Sequence, residues 1–231
     1  MSSESAFDKR LTEETKMDKV EGLLEHFNLP PKVIDFVRKY QRLIIILLMV
    51  ISVAVISFSL YTSYRKGVVE DAASALSSAL QAGNEKKAES LAGVVDKYGN
   101  TTSAQWARIE LAHLDMKNGS FASAAGRYLD ELKRVDKKSS LYSLLLFAAG
   151  QALEVDKKFA ESVVQYDLLK EIQGYEHIGY AGLARIEETQ GNFEKAHTIY
   201  NNYLLNIGDD PAAAQARSEI EARIAQLQTR M

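Results

Sequence analysis

Four histidines, His26, His113, His177 and His197, are the first residues to weigh for chemistry, because imidazole serves both as general base and as metal ligand. They are scattered, with no His-x-x-His or His-Glu-x-x-His spacing to bring two rings to one face of a helix. Cysteine is absent, which excludes disulfides, thiolate metal sites and cysteine nucleophiles. Gly174, Gly179 and Gly182 follow no strand, so no phosphate-binding loop is indicated. The acid pairs Glu187–Glu188 and Asp209–Asp210 fall where solvated faces and helix caps are expected, and general acid–base work is not assigned to them. No Gly-x-Ser-x-Gly elbow accompanies the many serines. The expectation is a protein without catalytic residues, metal or cofactor, and not an enzyme.

Those residues belong to a chain of 231, long enough for one sizeable domain and an anchor. A formal net charge of −3 gives no basic field for nucleic acid. With 3 prolines and 13 glycines against abundant Ala, Leu, Glu and Lys, the composition favours helices over sheets. A cysteine-free domain also suits an oxidising compartment, although cytosolic chains lack cysteine too.

Residues 43–64 contain no charge, proline or glycine. As a helix they reach roughly 33 Å, enough to cross the bilayer's hydrocarbon core. Tyr40, Tyr61 and Tyr64 stand near the ends, where amphipathic rings anchor. A buried core helix seldom runs this far without a polar face, and a cleavable signal would be shorter and nearer the start. The segment therefore reads as an uncleaved signal anchor. Lys32, Arg38, Lys39 and Arg42 precede it, while only Arg65 and Lys66 follow closely. The positive-inside rule then puts the N-terminus in the cytoplasm and residues 65–231 outside.

Residues 1–42 form a cytoplasmic tail of balanced charge. Met17, Val20, Leu24 and Phe27 recur at helical spacing, as either a docking helix or one lying on headgroups. After Pro30–Pro31, residues Val33, Ile34, Phe36 and Val37 begin a juxtamembrane helix. The first ten or so residues read as disordered.

Beyond the anchor the chain repeats itself. Asn118-Gly119-Ser120-Phe121-Ala122-Ser123-Ala124 with Tyr128 aligns with Asp156-Lys157-Lys158-Phe159-Ala160-Glu161-Ser162 with Tyr166. Both align with Gln190-Gly191-Asn192-Phe193-Glu194-Lys195-Ala196 with Tyr200. Each string reads as a turn followed by the second helix of a helix–turn–helix unit. The three phenylalanines stand 38 and then 34 residues apart, and a period near 34 resembles that of the tetratricopeptide repeat. Residues 82–88 look like a degenerate earlier copy with Glu85 at the aromatic position. Ala112, Gly150 and Ala184 hold the small-residue position at which paired helices cross. The predicted class is all-α: one transmembrane helix, then a tetratricopeptide-like α-solenoid with repeats at about 69–102, 105–138, 143–176 and 177–210. A capping helix at about 211–229 carries Ala213, Ala216, Ile220, Ile224 and Leu227 as its apolar stripe.

The first helix of each pair lines the concave face of such a solenoid. Registering on phenylalanine puts Trp106, Ile109, His113 and Met116 there, then Leu144, Phe147, Gln151 and Glu154, then Ile178, Ala181, Arg185 and Glu188. Trp106, Ile109, Met116, Leu144, Phe147 and Ile178 are thus the candidate peptide-binding groove. A slip of one register position would make Trp106, Ile109 and Phe147 core residues instead. The paired Lys and Asn with which the repeat family clamps a carboxylate terminus are missing.

The layout resembles the YfgM-like ancillary subunits of the SecYEG translocon. The stretch that carries the resemblance includes Ala72-Ala73, Leu80-Gln81-Ala82-Gly83-Asn84, Tyr98-Gly99-Asn100-Thr101-Thr102-Ser103-Ala104, Ala107-Arg108-Ile109-Glu110-Leu111-Ala112 and Gly119-Ser120-Phe121-Ala122-Ser123-Ala124. Gly99 stands where that family tends to have proline, and Trp106 where it has tyrosine. The resemblance implies an adaptor in the bacterial inner membrane with a periplasmic repeat domain. It would sit at the translocon and pass exported proteins to periplasmic chaperones. A holdase chaperone, or a scaffold in envelope or division assembly, is the alternative.

Overall fold

The computed structural model describes residues 31–208 and 211–230. The tail stripe of Met17, Val20, Leu24 and Phe27, and the pair Asp209–Asp210, lie outside the described residues. Among those described, the secondary structure is helical throughout: α1 (Pro31–Gln81), α2 (Asn84–Tyr98), α3 (Thr102–Lys117), α4 (Phe121–Leu132), α5 (Ser140–Val155), α6 (Phe159–Lys170), α7 (Glu176–Thr189), α8 (Phe193–Ile207) and α9 (Ala214–Gln228), the last entered through a 3₁₀ turn at Pro211–Ala213. Two compact units divide the chain at Lys66 and Gly67.

The described part of the first unit is helix. Proline suits the first helical position of α1, where its missing N–H is not needed and its fixed φ is already helical. The apolar stretch of this helix is long enough to cross a membrane and buries none of its most apolar window against protein. Phe58 is 70% exposed and Leu60 67%, which is the opposite of a core helix. Two hydroxyls within it are satisfied locally: Ser52 donates to the Leu48 carbonyl at 2.8 Å and Thr62 to that of Ser59 at 2.9 Å. Such bonding satisfies these two hydroxyls without water.

The second unit is a chain of helix pairs whose cores are local. Ala72, Ala79, Leu91, Val94, Tyr98, Ala104, Ala107 and Leu111 cluster from α1, α2 and α3. A second cluster joins α3, α4 and α5 through Ile109, Tyr128 and Leu145, and a third joins α5, α6 and α7 through Leu146, Tyr166 and Ile186. The last joins α7, α8 and α9 through Ala184, Tyr200 and Ile220. Each core takes three consecutive helices, which is the nearest-neighbour packing of a solenoid.

The turns inside successive pairs are superimposable in chemistry. Gly119, Lys157 and Gly191 all adopt positive φ, at 76°, 62° and 78°. In each the next amide reaches back five residues, Ser120 to Asp115, Lys158 to Leu153 and Asn192 to Glu187, at 2.8–2.9 Å. These are the bonds that close a helix with a left-handed residue. Ala112 and Ala184 are fully buried and Gly150 is buried too. Ala124, Ser162 and Ala196, three residues after each phenylalanine, are likewise buried. Ser162 fits because its hydroxyl donates to the Gly150 carbonyl at 2.8 Å, so no polar group is stranded.

Tyr166 shows how one pair grips the next. Its ring is fully buried, and a Cβ on Gly150 or Gly182 would come to 2.9 or 2.6 Å from it. The tyrosine of one pair thus fills the space of two missing methyls, one on its own first helix and one on the next.

Candidate functional site

The first helices α3, α5 and α7 present the residues that sequence register assigns to the groove. Trp106 is 44% exposed and Leu144 50%, at equivalent positions of α3 and α5. Ile178, the equivalent on α7, is half-buried and packs beside Phe147 on the cluster built around Tyr166. Met116 is half-buried against the Tyr128 cluster. Ile109 is 4% exposed and sits inside that cluster. The six therefore grade from surface to core. Trp106 and Leu144 are exposed, Phe147, Ile178 and Met116 are half-buried, and Ile109 lies in the core.

Below the apolar part lies a polar network. Arg185 of α7 places Nε 2.6 Å from Glu154 Oε1 and Nη2 2.8 Å from Oε2. This is a two-pronged guanidinium–carboxylate pair. The Tyr166 hydroxyl donates to Glu154 Oε2 at 2.9 Å and accepts from Arg185 Nη2 at the same distance. Burial pushes the Tyr166 hydroxyl far above the ordinary tyrosine range. The bond to Glu154 raises Arg185 further still, against the lowering effect of burial. Both groups are locked in one protonation state at physiological pH, which suits a joint and not proton transfer.

The same joint recurs in part. Twelve residues separate Glu154 from Tyr166 and Glu188 from Tyr200, and the Tyr200 hydroxyl donates to Glu188 Oε1 at 2.9 Å. In the earlier pair Met116 stands where the glutamate would be. Tyr128 there touches the His113 ring, 5.8 Å between centroids. Burial, with Glu110 and Asp115 nearby, pushes the Tyr128 hydroxyl up to about 12. Sequence register placed Glu154, Arg185 and Glu188 on the concave face without linking them to the tyrosines. The repeated twelve-residue spacing was the available signal.

A second buried charge ties α3 to α4. Glu131 is 1% exposed. Arg108 Nε lies 2.6 Å from its Oε2, and Gln105 Nε2 donates to Oε1 at 3.0 Å. Between α7, α8 and α9 a cavity of about 420 Å³ opens, bordered by Arg185, Tyr200 and Arg223. Among the described residues no group of three or more His, Asp or Glu side chains is placed to hold a metal ion.

Comparison with known proteins agrees with this architecture. Residues 35–144 match the family model described as a tetratricopeptide repeat-like domain. The matched stretch runs from α1 through α4 and into the start of α5. No curated protein matches the chain. Helical repeats of this type are generally non-catalytic scaffolds for protein–protein interaction.

Proposed function

We propose that this protein is a non-enzymatic adaptor held in the bacterial inner membrane by residues 43–64, with its N-terminus in the cytoplasm and the repeats of residues 65–231 in the periplasm. The repeats bind proteins, and the observation that carries this reading is the pair Trp106 and Leu144. Two large apolar side chains, each about half exposed, recur at one register position on successive first helices. Exposed aromatic and aliphatic anchors at such spacing suit an extended or helical peptide. The excess of basic residues before the anchor supports the orientation. The resemblance to the YfgM-like family supports a place beside the Sec translocon, passing exported chains to periplasmic chaperones.

Photo-crosslinkers at positions 106 and 144 of the full chain in native membranes test this. Translocon subunits, periplasmic chaperones or exported chains should be captured, and combined Trp106→Ala and Leu144→Ala changes should abolish capture by crosslinkers at neighbouring positions. Capture of cytoplasmic proteins alone would overturn orientation and function together. The same exposed pair also fits a holdase that binds unfolded clients directly. Suppression of client aggregation by the purified chain, with no translocon subunit crosslinked, would favour that second reading.

A further inference from the structure

The loop of residues 133–139, between α4 and α5, is longer than its counterparts at 99–101 and 171–175. It supplies part of the extra length by which the first phenylalanine spacing exceeds the second. Lys133, Arg134, Lys137 and Lys138 all stand exposed in it, whereas residues 171–175 carry Glu171 and no base. The loop is built into the fold. Val135 packs against the Tyr128 cluster, and the amides of Arg134 and Ser139 donate to the carbonyls of Glu131 and Asp136, each at 2.9 Å. Its acids are already engaged. Asp130 pairs with Lys133 at 2.7 Å and also feels Arg134, while Asp136 accepts from the Lys138 amide at 2.8 Å. Lys137 and Lys138 make no ion pair among the described residues.

A chain of contacts fixes which end of the second unit this loop occupies. Val68 of α1 packs against the cluster that holds Val94 and Tyr98 of α2, and Asp71 acts on Lys97 beside that tyrosine. Arg108 of α3 then links the Gly99 carbonyl, at 3.2 Å, to Glu131 in the last turn of α4, at 2.6 Å. The basic loop therefore lies at the end where the chain enters the unit at Gly67. Packed helices stand about 8–10 Å apart, so three helix steps keep the loop within about 30 Å of Gly67. Only three residues separate Gly67 from Tyr64, the last of the apolar segment, a reach of at most about 11 Å.

We propose that the 133–138 loop, through Lys137 and Lys138 above all, docks the repeat unit on the anionic phospholipid headgroups of the leaflet from which the anchor emerges. The inference rests on residues 43–64 spanning a membrane, and on neither the orientation nor the adaptor reading. Ammonium and guanidinium groups donate to headgroup phosphate oxygens, and each base near an anionic surface strengthens the contact about fivefold. Few are needed, because the anchor holds the loop at a high effective concentration beside the bilayer. A soluble acidic protein has no such tether, which favours the bilayer as the partner.

The test uses the full chain in lipid nanodiscs of phosphatidylcholine, with or without phosphatidylglycerol. The chain has no cysteine, so Ser140→Cys gives one labelling position beside the loop, and Ser120→Cys gives one in a turn at the other end of the helices. Energy transfer from the label to an acceptor on the lipid headgroups reads the docked fraction. Transfer from position 140 should rise when phosphatidylglycerol is present and fall again in molar salt, where screening is short-ranged; transfer from position 120 should not rise. Combined Lys137→Gln and Lys138→Gln should lower the docked-to-free ratio about 25-fold, with the melting temperature unchanged, and Lys137→Arg with Lys138→Arg should preserve docking. Equal transfer in the two lipids, or transfer that survives the glutamine changes, would overturn this proposal alone. Failure of the chain to enter either disc would overturn the anchor reading with it. Saturable binding of a polyglutamate peptide, with no response to phosphatidylglycerol, would reassign the loop to an acidic protein and overturn its assignment to lipid.

Discussion

Replacing Gly182 with alanine tests the interlock between pairs directly. The added methyl carbon would stand 2.6 Å from Tyr166 Cδ1 and Cγ and 2.7 Å from Cδ2, where carbon–carbon contacts normally begin near 3.5 Å. The ring cannot swing away, because the Gly150 backbone lies so close on the other side that even a Cβ there would come to 2.9 Å from it, and its hydroxyl is held by Glu154 and Arg185. Relief therefore requires α6 and α7 to separate, and overpacking of this kind costs about 3 kcal/mol. Alanine's better helix propensity offsets about 1 kcal/mol, leaving a net loss of about 2 kcal/mol. For a domain of this size that lowers the melting temperature by about 4–8 °C. The assay is thermal unfolding of the purified chain, followed by far-UV circular dichroism. Gly93→Ala and Gly126→Ala are the controls, since nothing lies within 4 Å of a Cβ at either position; each should stabilise by about 0.5–1 kcal/mol. Combining Gly182→Ala with Tyr166→Leu should cost less than the sum of the two single changes, because the smaller side chain makes room. A Gly182→Ala chain as stable as the Gly93→Ala control would refute the wedge.

Lys157 occupies at φ 62° the left-handed position that Gly119 and Gly191 hold in the sister turns. Lys157→Gly should therefore raise stability by about 1 kcal/mol, measured by urea unfolding, whereas Gly191→Lys should lower it by a similar amount. Glu131→Ala removes the carboxylate that Arg108 and Gln105 share and should cost about 3 kcal/mol by the same assay, with Glu131→Gln costing less because one hydrogen bond survives. Alkaline pH should also weaken the repeats. The Tyr128 hydroxyl is raised from an ordinary value near 10 to about 12, so the folded chain keeps a proton that the unfolded chain releases. Its contribution is complete below pH 10 and is lost as pH rises toward 12. Melting temperature measured between pH 9 and 12 should fall, and Tyr128→Phe should make that fall shallower, the raised hydroxyls of Tyr166 and Tyr200 sustaining the rest.

Much of the architecture was legible because it rests on local patterns. The spacing of Phe121, Phe159 and Phe193 marked where three second helices begin, and those helices start at those residues. Buried Ala112, Gly150 and Ala184 were recognisable because close helix crossing tolerates only small side chains. The exposure of the candidate groove residues was legible only in part. Trp106 and Ile109 lie three residues apart on one face of α3, and register alone treats them alike. Their exposure differs, 44% against 4%, because Ile109 is covered by the cluster of Tyr128, Leu145 and Ala149. The joint of Glu154, Tyr166 and Arg185 was equally hidden. Its carboxylate and guanidinium are 31 residues apart in the chain, and no local rule couples them.

By itself, the sequence determined the helical class, the apolar segment long enough to cross a membrane and the repeat period. Each follows from side-chain chemistry read over a few turns, where hydrogen-bonding and burial preferences depend on near neighbours. The tertiary structure alone decided which of the candidate groove residues are exposed, that Tyr166 is wedged between Gly150 and Gly182, and that α9 closes the last core with two buried side chains. Those outcomes depend on the distance and angle at which one helix meets the next, quantities set by all the packed side chains together.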